Sequence, residues 1–434
     1  MKKLILSLVA ILIAAFIYAA LPVYQGLSYR GKAPMLAFNY IDWPKDQPAT
    51  SNVHQPRFTT LDTAALKALK AQQKVVSAPG YTAAVAIDGK MAWSASVGWA
   101  DIEDKVAMST ATSMRIGSTS KALTATALAR LVSQGKLDLD APLNSYFKEL
   151  PHPSWAKISA RHLASHMSGL PHYRRNADRY GMLASLSAQG EYDNVQDAVK
   201  LFDASDLLFE PGDEFSYSSW GTVLLSALIQ IKAEQPYQNF MGEAVLTPLN
   251  MSSTRSKLSQ QGKKNKTPTA QFYWQDPKQT SRLKPWYSLN LSHRLAGGGW
   301  LSTSMDLARL GQGFMNEDFL PVNIREQFWT PQKLNNGEFN PQHYGLGWRV
   351  HELKLGEDFE PLMYMHHGGV AAGAQSFLLV VPRYKLSMAI NANIRTEVFS
   401  DFAKVSHELL KLFIAELETQ SIERQNKAQA ELQI

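Results

Sequence analysis

The chain contains no cysteine. Disulfide bonds, thiol catalysis, thiolate zinc sites and cysteine-linked lipid anchors are therefore excluded. Two further patterns are missing: G-x-S-x-G, the nucleophile motif of α/β-hydrolases, and H-E-x-x-H, the zinc motif of many metalloproteases. Both of those enzyme classes are disfavoured, and no cofactor is expected.

Charge of one sign is not strongly in excess: the net charge is +6 for 434 residues. Much of this excess lies between Lys257 and Lys284, a stretch that we interpret as a solvated basic loop. Asp276 is the single acidic residue in this stretch, and the basic residues within it are Lys263, Lys264, Lys266, Lys278 and Arg282. Aromatic residues do not alternate with basic ones in a nucleic-acid-binding pattern, so no nucleic-acid partner is expected.

An almost unbroken apolar run extends from Leu4 to Leu21, directly after Lys2 and Lys3. A basic start followed by an apolar run is typical of an export signal. The run is near the length needed to span a bilayer, and no A-x-A cleavage site follows it. We therefore favour an uncleaved anchor in the cytoplasmic membrane over a cleaved signal. The remainder of the chain is then periplasmic or otherwise extracytoplasmic.

The remaining sequence predicts one catalytic domain. Residues 1–24 are interpreted as the signal or anchor, 25–60 as a linker or extended wrap, 61–420 as the domain, and 421–434 as a polar tail. Apolar strands occur near both ends of the domain, and helical patterns lie between them. This order predicts an α+β fold in which both chain ends build one antiparallel sheet, flanked by helices, with an inserted, mainly helical lobe.

Several elements can be located in advance. Helical periodicity covers residues 64–73 and 405–417, and a Gly-rich turn leads into a helix in the stretch LAGGGWLSTSMDLARLGQGF. The dipeptide Asp88-Gly89 between two apolar runs predicts a β-hairpin. A second hairpin is predicted with its turn at residues 382–385, and HYGLGWRV is interpreted as a strand.

Ser118 and Lys121 are the candidate nucleophile and proton acceptor, in RIGSTSKALTATALA. Ser118 follows a glycine and opens a helical run, where the helix dipole favours a developing alkoxide. Lys121 is one turn further on, on the same face. The same S-x-x-K spacing occurs four more times without this context, at Ser133–Lys136, Ser145–Lys148, Ser154–Lys157 and Ser281–Lys284.

Two later stretches supply partners for this pair. Tyr217, followed by Ser219, precedes another helix in EPGDEFSYSSWG; its phenol could act as an acid or base if neighbouring cations lower its pKa. MHHGGVAAGAQSFLLVV carries the substrate-binding candidates His366, His367, Gly368 and Gly369 ahead of a strand. Glycine there allows a backbone N–H to approach a bound carbonyl, as an oxyanion site requires.

In this order, Ser118-x-x-Lys121, Tyr217-x-Ser219 and His366-x-Gly368 resemble the three motifs of the serine beta-lactamase and penicillin-binding-protein superfamily. LASHMSGLP, AGGGWLST and HHGGVAAGAQSFLLVVP resemble its class C-like branch, which includes esterases, D-aminopeptidases and mitochondrial beta-lactamase-like proteins. The resemblance covers residues 64–417. It implies an acyl-enzyme mechanism with oxyanion donors at Ser118 and Gly369.

Two positions depart from the superfamily pattern. Ser219 replaces the usual asparagine of the second motif, and His366 replaces the lysine with which the third motif often begins. A histidine is mostly neutral at pH 7, so the site would lose fixed positive charge for a substrate carboxylate. We therefore expect an exported hydrolase of an amide, peptide or ester substrate over an efficient beta-lactamase, which stays an alternative.

Two other hypotheses stay open. One is a catalytically weak or inactive binding or scaffolding protein that retains the fold. The other is a metal site, for which the available histidines are His162, His166, His172, His366 and His367. Without a recognisable ligand spacing, this metal hypothesis ranks lowest.

Overall fold

The computed structural model describes residues 2–173, 179–203, 205–256, 268–276, 279–357 and 359–431. The helices are α1 (Lys2–Ser28), α2 (Asp62–Val75), α3 (Ser120–Ser133), α4 (Ala160–Ala164), α5 (Arg179–Ser187), α6 (Val195–Val199), α7 (Ser219–Ala233), α8 (Tyr237–Met241), α9 (Ser304–Met315), α10 (Val322–Trp329) and α11 (Phe399–Glu431). The strands are β1 (Ile41–Asp42), β2 (Ala49–Val53), β3 (Gly80–Ile87), β4 (Lys90–Asp101), β5 (Val106–Ala107), β6 (Met114–Arg115), β7 (Tyr273–Asp276), β8 (Gln279–Pro285), β9 (Leu301–Ser302), β10 (Arg349–Leu353), β11 (Leu362–Ala371), β12 (Ala374–Val381) and β13 (Leu386–Ala392).

The main sheet is antiparallel, in the order β10-β11-β12-β13-β3-β4-β2, with β5 added on β4. Its central pairing joins β13 to β3, so that Leu386 lies opposite Ile87 and Ala392 opposite Tyr81. This pairing unites the two ends of the chain in one sheet. The predicted α+β fold, with a sheet from both chain ends and a helical lobe between them, is confirmed.

Both faces of the sheet are covered. On one face, α2 and α11 pack through residues such as Leu69, Phe402 and Phe413, which are fully buried. On the other face, α9 packs against β3 and β13. The core of the helical lobe, built on α3 and α7, continues from there to the side chains of Leu378 and Val380 on β12. The lobe is therefore joined to the sheet by continuous apolar packing.

Both predicted hairpins are present. Asp88 and Gly89 turn the chain between β3 and β4 with φ of 53° and 78°, values that favour Asp and Gly in a two-residue turn. The second hairpin turns through the short 3-10 helix Pro382–Tyr384, and Lys385 closes it in the left-handed region. The stretch HYGLGWRV forms a strand only from Arg349, and the C-terminal helix is longer than its apolar periodicity indicated.

The segment before the domain packs along it. Strand β2 pairs with β4 at the edge of the main sheet, and β1 pairs with β8 in a separate three-stranded sheet with β7. Helix α1 contacts α5. Of the predicted basic loop, Lys263, Lys264, Lys266 and Lys278 lie outside the described residues.

Candidate active site

Ser118 lies in a one-turn 3-10 helix, Gly117–Thr119, which leads directly into α3. Gly117 has φ of 51°, and a Cβ atom there would lie 2.7 Å from the backbone atoms of Val370. Glycine therefore allows this turn to contact strand β11. The close packing places the half-buried Ser118 between the start of α3 and the edge of the main sheet.

Lys121 is 2% exposed, and its Nζ atom has three polar neighbours. Nζ donates to Ser219 Oγ at 2.9 Å and to the carbonyl oxygen of Gly297 at 2.7 Å, and it lies 3.4 Å from Ser118 Oγ. Burial, together with the guanidinium groups of Arg349 and Arg294, holds the pKa of Lys121 well below its ordinary value. A neutral amine has two N–H bonds and one lone pair, which matches these three neighbours.

The other four Ser-x-x-Lys pairs have different surroundings. Lys136, Lys148 and Lys157 are exposed. Lys284 is buried, but it donates to the carbonyl oxygens of Leu36 and Phe38 in the N-terminal segment. Only the Ser118 pair therefore combines a half-buried serine with a buried lysine beside it in the described part of the chain.

Tyr217 precedes α7 and hydrogen-bonds Ser118 through its phenol. Its ring centroid lies 4.8 Å from Lys121 Nζ and 5.6 Å from the guanidinium carbon of Arg349. Burial raises the pKa of Tyr217 to about 12, although the charge of Arg349 opposes this shift. The condition that neighbouring cations lower this pKa is not met, because the cost of burying a phenolate is larger than the attraction of Arg349.

Ser219 is the first residue of α7, and its hydroxyl is buried against Lys121. Its backbone N–H donates to His172 Nδ1 at 3.2 Å, and its side chain hydrogen-bonds Tyr173. A hydroxyl can accept from the lysine while it interacts with the tyrosine. Ser219 thus orients Lys121 from the position where the superfamily commonly carries an asparagine amide.

The two adjacent histidines of β11 point to opposite faces of the sheet, as successive strand residues do. The His366 ring stacks on Tyr364 with centroids 4.6 Å apart and lies 5.4 Å from the Phe377 ring, within the aromatic packing on the α11 side. His367 lies on the side of Lys121 and Tyr217. The expectation that His366 faces the substrate is therefore wrong, and it is His367 that lies on the face of β11 towards Lys121, buried beside Tyr344.

His367 is fully buried and holds one tautomer. Its Nδ1 donates to the carbonyl oxygen of Gly368 at 2.8 Å, so the hydroxyl of Tyr344, also at 2.8 Å, donates to Nε2. Burial, Arg349 and Lys121 hold the pKa of His367 well below its ordinary value. The neutral form of this imidazole is therefore favoured.

Gly368 and Gly369 of β11 also face opposite sides of the sheet. A Cβ on Gly368 would lie 2.5 Å from the Phe399 ring on the α11 side, whereas one on Gly369 would lie 1.9 Å from the carbonyl oxygen of Ile116, next to the Ser118 turn. The β11–β12 hairpin closes on the pair Ala371–Ala374. In such a hairpin the closing pair is hydrogen-bonded and the pattern alternates, so the N–H of Gly369 points to β12. The N–H of Val370 points to the free edge, on the side where the Gly117 turn contacts it. The expectation that Gly369 supplies the second oxyanion N–H is therefore wrong.

Ser118 opens into a cavity of about 720 Å³. Its lining includes Ser219, His172, Tyr173, Gly297, Gly298 and Val370. Three arginines also line it: Arg30, Arg294 and Arg395. Within the described residues, no Asp or Glu side chain belongs to the lining. The cavity therefore carries fixed positive charge from arginines, which the motif comparison did not predict.

The histidines do not gather into a metal-binding cluster in the parts of the chain that the structure covers. His162 takes part in a capping box at the start of α4. His166 packs its ring 4.1 Å from that of Tyr217 and accepts from the backbone N–H of Ser218 at 3.3 Å. His166 thus supports the tyrosine from behind, in agreement with a structural interpretation of its motif.

Sequence reasoning missed Arg349, which lies beside the rings of both Tyr217 and Tyr344. Its guanidinium lowers the pKa of Lys121 and opposes the rise in that of Tyr217. It also missed the carbonyl of Gly297 as an acceptor for Lys121. The signal was present in WRV and AGGG, but only the fold brings these segments to the first motif.

Comparison with known proteins shows the family of the chain. The profile of the family described as Beta-lactamase matches residues 67–410. The human mitochondrial serine beta-lactamase-like protein LACTB is 29% identical over 394 residues, covering 73% of this chain and 71% of the relative. Penicillin-binding protein 4* of Bacillus subtilis is 26% identical over 279 residues, covering 62% of this chain and 58% of the relative.

Solved structures share the fold. A D-amino acid amidase from Ochrobactrum anthropi, in complex with L-phenylalanine amide, superimposes with a TM-score of 0.64 at 22% identity, covering 82% of this chain and 99% of that one. An octameric penicillin-binding protein homologue from Pyrococcus abyssi gives a TM-score of 0.65 at 21% identity, covering 81% and 77%. The chain belongs to the Beta-lactamase family, within the serine beta-lactamase and penicillin-binding-protein superfamily, and is a serine hydrolase.

Proposed function

We propose that this protein is an exported, membrane-anchored serine hydrolase that cleaves an amide, peptide or ester through an acyl-enzyme on Ser118. The observation that carries the proposal is the environment of Lys121. Its Nζ donates to Ser219 and to the Gly297 carbonyl, which leaves the lone pair for the proton of Ser118. The lowered pKa of Lys121 supports a neutral base at pH 7.

In acylation, Ser118 Oγ attacks the substrate carbonyl while its proton passes to Lys121. The backbone N–H groups of Ser118 and Val370 stabilise the oxyanion. Tyr217, protonated because its pKa is about 12, donates its proton to the leaving group, and the proton on Lys121 restores the phenol. These transfers leave Lys121 neutral and Ser118 acylated.

In deacylation, a water molecule gives its proton to Lys121 and attacks the acyl carbon. Ser118 then leaves as the alcohol with the proton from Lys121, which releases the carboxylic acid. The tetrahedral intermediate uses the same two N–H groups. Tyr217 does not act as the base for this water, because a phenol with a pKa of about 12 stays protonated at neutral pH and cannot accept a proton.

The proposed membrane anchor is helix α1. Helix α1 is long and apolar enough to cross a membrane, a property that a signal sequence near an N-terminus shares. Lys2 and Lys3 before the apolar run favour retention of this end in the cytoplasm, with the domain on the opposite side. D-Amino acid amides, which the solved amidase family member accepts by its name, are suitable first substrates.

The test uses a fluorescent phosphonate, which labels activated serines, and hydrolysis of p-nitrophenyl butyrate. Wild type should be labelled and should hydrolyse the ester, and Ser118→Ala should lose both. Ser281→Ala is the matched control from another Ser-x-x-Lys pair, since Ser281 is exposed on β8. Wild type that shows neither labelling nor hydrolysis would support the inactive scaffold, and penicillin turnover that exceeds ester turnover would support a beta-lactamase.

A further inference from the structure

The end of the membrane helix contributes directly to the active-site cavity. Helix α1 ends at Ser28, and Arg30 lines the cavity together with Ser118. Helix α1 also packs against α5, whose Met182 lines the same cavity. The chain directly after α1 therefore forms part of the cavity wall, through Arg30.

Aromatic packing fixes this junction. The ring centroid of Tyr29 lies 4.4 Å from that of Trp286, 5.4 Å from that of Tyr287 and 5.9 Å from that of Trp274. The Tyr29 hydroxyl donates to the carbonyl oxygen of Pro285 at 2.6 Å. This cluster holds the domain against the end of α1.

The length of the apolar run in α1 fits the thickness of a bilayer. The run Leu4–Leu21 spans roughly 27 Å as a helix, close to the hydrocarbon thickness of a bilayer. Arg30 follows about 13 Å further along, at or just beyond the headgroup region. The cavity mouth also carries apolar side chains at the surface: Val370 lines it, and Leu183 follows Met182 on α5, and both are exposed. If α1 spans a bilayer, Arg30 and the cavity that it lines therefore lie close to the level of the lipid headgroups.

Among the described residues, the charged side chains that line the cavity are all arginines. Arg30, Arg294 and Arg395 line the cavity. The Nε atom of Arg294 is buried without a hydrogen-bond partner among the described residues, which is costly unless a ligand satisfies it. Arg30 and Arg395 lie near opposite ends of the sequence, and both side chains are exposed. Guanidinium groups bind carboxylate and phosphate oxygens with fixed geometry.

We propose that the substrate is an anionic, lipid-anchored acyl compound presented at the bilayer surface, with its anionic group bound by Arg30, Arg294 and Arg395. This rests on the proposed hydrolase function and names its substrate class. The scissile carbonyl then lies beside Ser118, between the headgroup anion and the remainder of the cavity. A freely diffusing carboxylate or phosphate shares the anion chemistry, and the experiment separates the two sources.

The probe is phosphatidylethanolamine succinylated on its amine and esterified with 4-methylumbelliferone. Ser118 Oγ forms an ester with the terminal succinyl carbonyl, the bond to the umbelliferone oxygen breaks, and fluorescent umbelliferone leaves with the proton. Water then releases the succinyl lipid as its carboxylic acid. The neutral counterpart is the same ester on succinylated diacylglycerol, and the soluble anionic counterpart is the ester on succinylated phosphoethanolamine.

Full-length protein is reconstituted in phosphatidylcholine vesicles that contain the probe, or is mixed with separate vesicles that contain it. We expect hydrolysis in the shared vesicle to be at least about tenfold faster, because anchoring raises the effective concentration. The ratio of kcat/KM for the anionic lipid to that for the neutral lipid should fall about tenfold in Arg30→Gln and in Arg395→Gln. Arg424→Gln, on the exposed end of α11, is the matched control and should leave this ratio unchanged.

Equal rates from shared and separate vesicles, or an equally good soluble phosphoethanolamine ester, would overturn presentation by the membrane. An unchanged ratio in both arginine variants would overturn the anion subsite. Phosphonate labelling of each variant verifies that its site is folded. Failure of the underlying hydrolase is a separate result: wild type would then release nothing even from 4-methylumbelliferyl butyrate.

Discussion

The Nζ atom of Lys121 lies 2.9 Å from the hydroxyl oxygen of Ser219, which begins a different helix of the inserted lobe. This contact couples the first two sequence motifs into one unit. The serine accepts one N–H of the lysine and the Gly297 carbonyl accepts another. The remaining direction, towards Ser118, is therefore available to the lone pair of a neutral amine.

We expect Lys121→Met to lower kcat by about 10²-fold or more. It should also change how stability depends on pH. Because burial lowers the pKa of Lys121 in the folded state, the unfolded chain binds one more proton at any pH between this lowered pKa and about 10.4. The free energy of unfolding of wild type therefore rises with pH in this window, by at most about 1.4 kcal/mol per pH unit.

Urea denaturation between pH 6 and 9 measures this slope. Lys121→Met should remove the lysine's contribution, whereas Lys157→Met, at an exposed lysine of another Ser-x-x-Lys pair, should retain the wild-type slope. Parallel curves for wild type and Lys121→Met would show that Lys121 keeps its ordinary pKa in the folded protein.

Tyr217→Phe should lower kcat by about 10²-fold, because the leaving group then lacks its proton donor. The pKa of about 12 adds a second expectation: the phenol stays protonated up to about pH 10, so Tyr217 should cause no alkaline loss of wild-type kcat/KM below that pH. A pH–rate profile checks both points. Tyr384→Phe, beside Glu418 on the surface, is the control, and an alkaline limb near pH 8 that disappears in Tyr217→Phe would contradict this role.

Ser219→Ala removes a hydrogen bond that favours the charged form of Lys121, so the pKa of the lysine should fall further. Protonation of Lys121 is expected to lower kcat/KM on the acidic side of the pH profile, and in Ser219→Ala this loss should occur at lower pH. At higher pH, kcat/KM should be about tenfold below that of wild type, because Lys121 is less well oriented. The control is Ser226→Ala, a buried serine in α7 that donates to the Val223 carbonyl. A loss that moves to higher pH, or an unchanged profile, would exclude Ser219 as the partner that tunes Lys121.

The fold brings together the four residues that the first two sequence motifs marked, Ser118, Lys121, Tyr217 and Ser219. Their motifs could be located because each residue lies at or just before the start of a helix. The strand motif could not be assigned in the same way. His366-x-Gly368 and His367-x-Gly369 both fit H-x-G, and a shift of one residue moves every side chain of a strand to the other face. Only the pairing of β11 with β12, and the contact of Gly369 with Ile116, decide between them.

The electrostatic environment was also beyond the sequence. Arg30, Arg294 and Arg395 are far apart in the chain and converge only at the cavity. Likewise, the pKa of Tyr217 depends on how deeply the phenol is buried, which outweighs the nearby charge of Arg349. The convergence of the arginines and the burial of Tyr217 both depend on long-range packing, which local residue patterns do not predict.

His366 and His367 should respond differently to replacement by phenylalanine. His367→Phe leaves the buried hydroxyl of Tyr344 without its acceptor, which should cost about 1–3 kcal/mol of unfolding free energy. It should also lower kcat/KM about tenfold or more, since the ring lies beside Lys121 and Arg349. His366→Phe should change the free energy of unfolding by less than about 1 kcal/mol, because the new ring can stack on Tyr364 and the lost Nδ1 has no partner in the described structure.

Urea denaturation and p-nitrophenyl butyrate hydrolysis measure the two effects side by side. His366→Phe should keep kcat/KM within about twofold of wild type, since the half-exposed His351, which loses its 2.9 Å hydrogen bond, can bind water instead. The opposite order, an active His367→Phe and an inactive His366→Phe, would mean that β11 presents its other face to Ser118. Val370 could not then be the second oxyanion donor, because the same one-residue shift would exchange its N–H for that of Gly369.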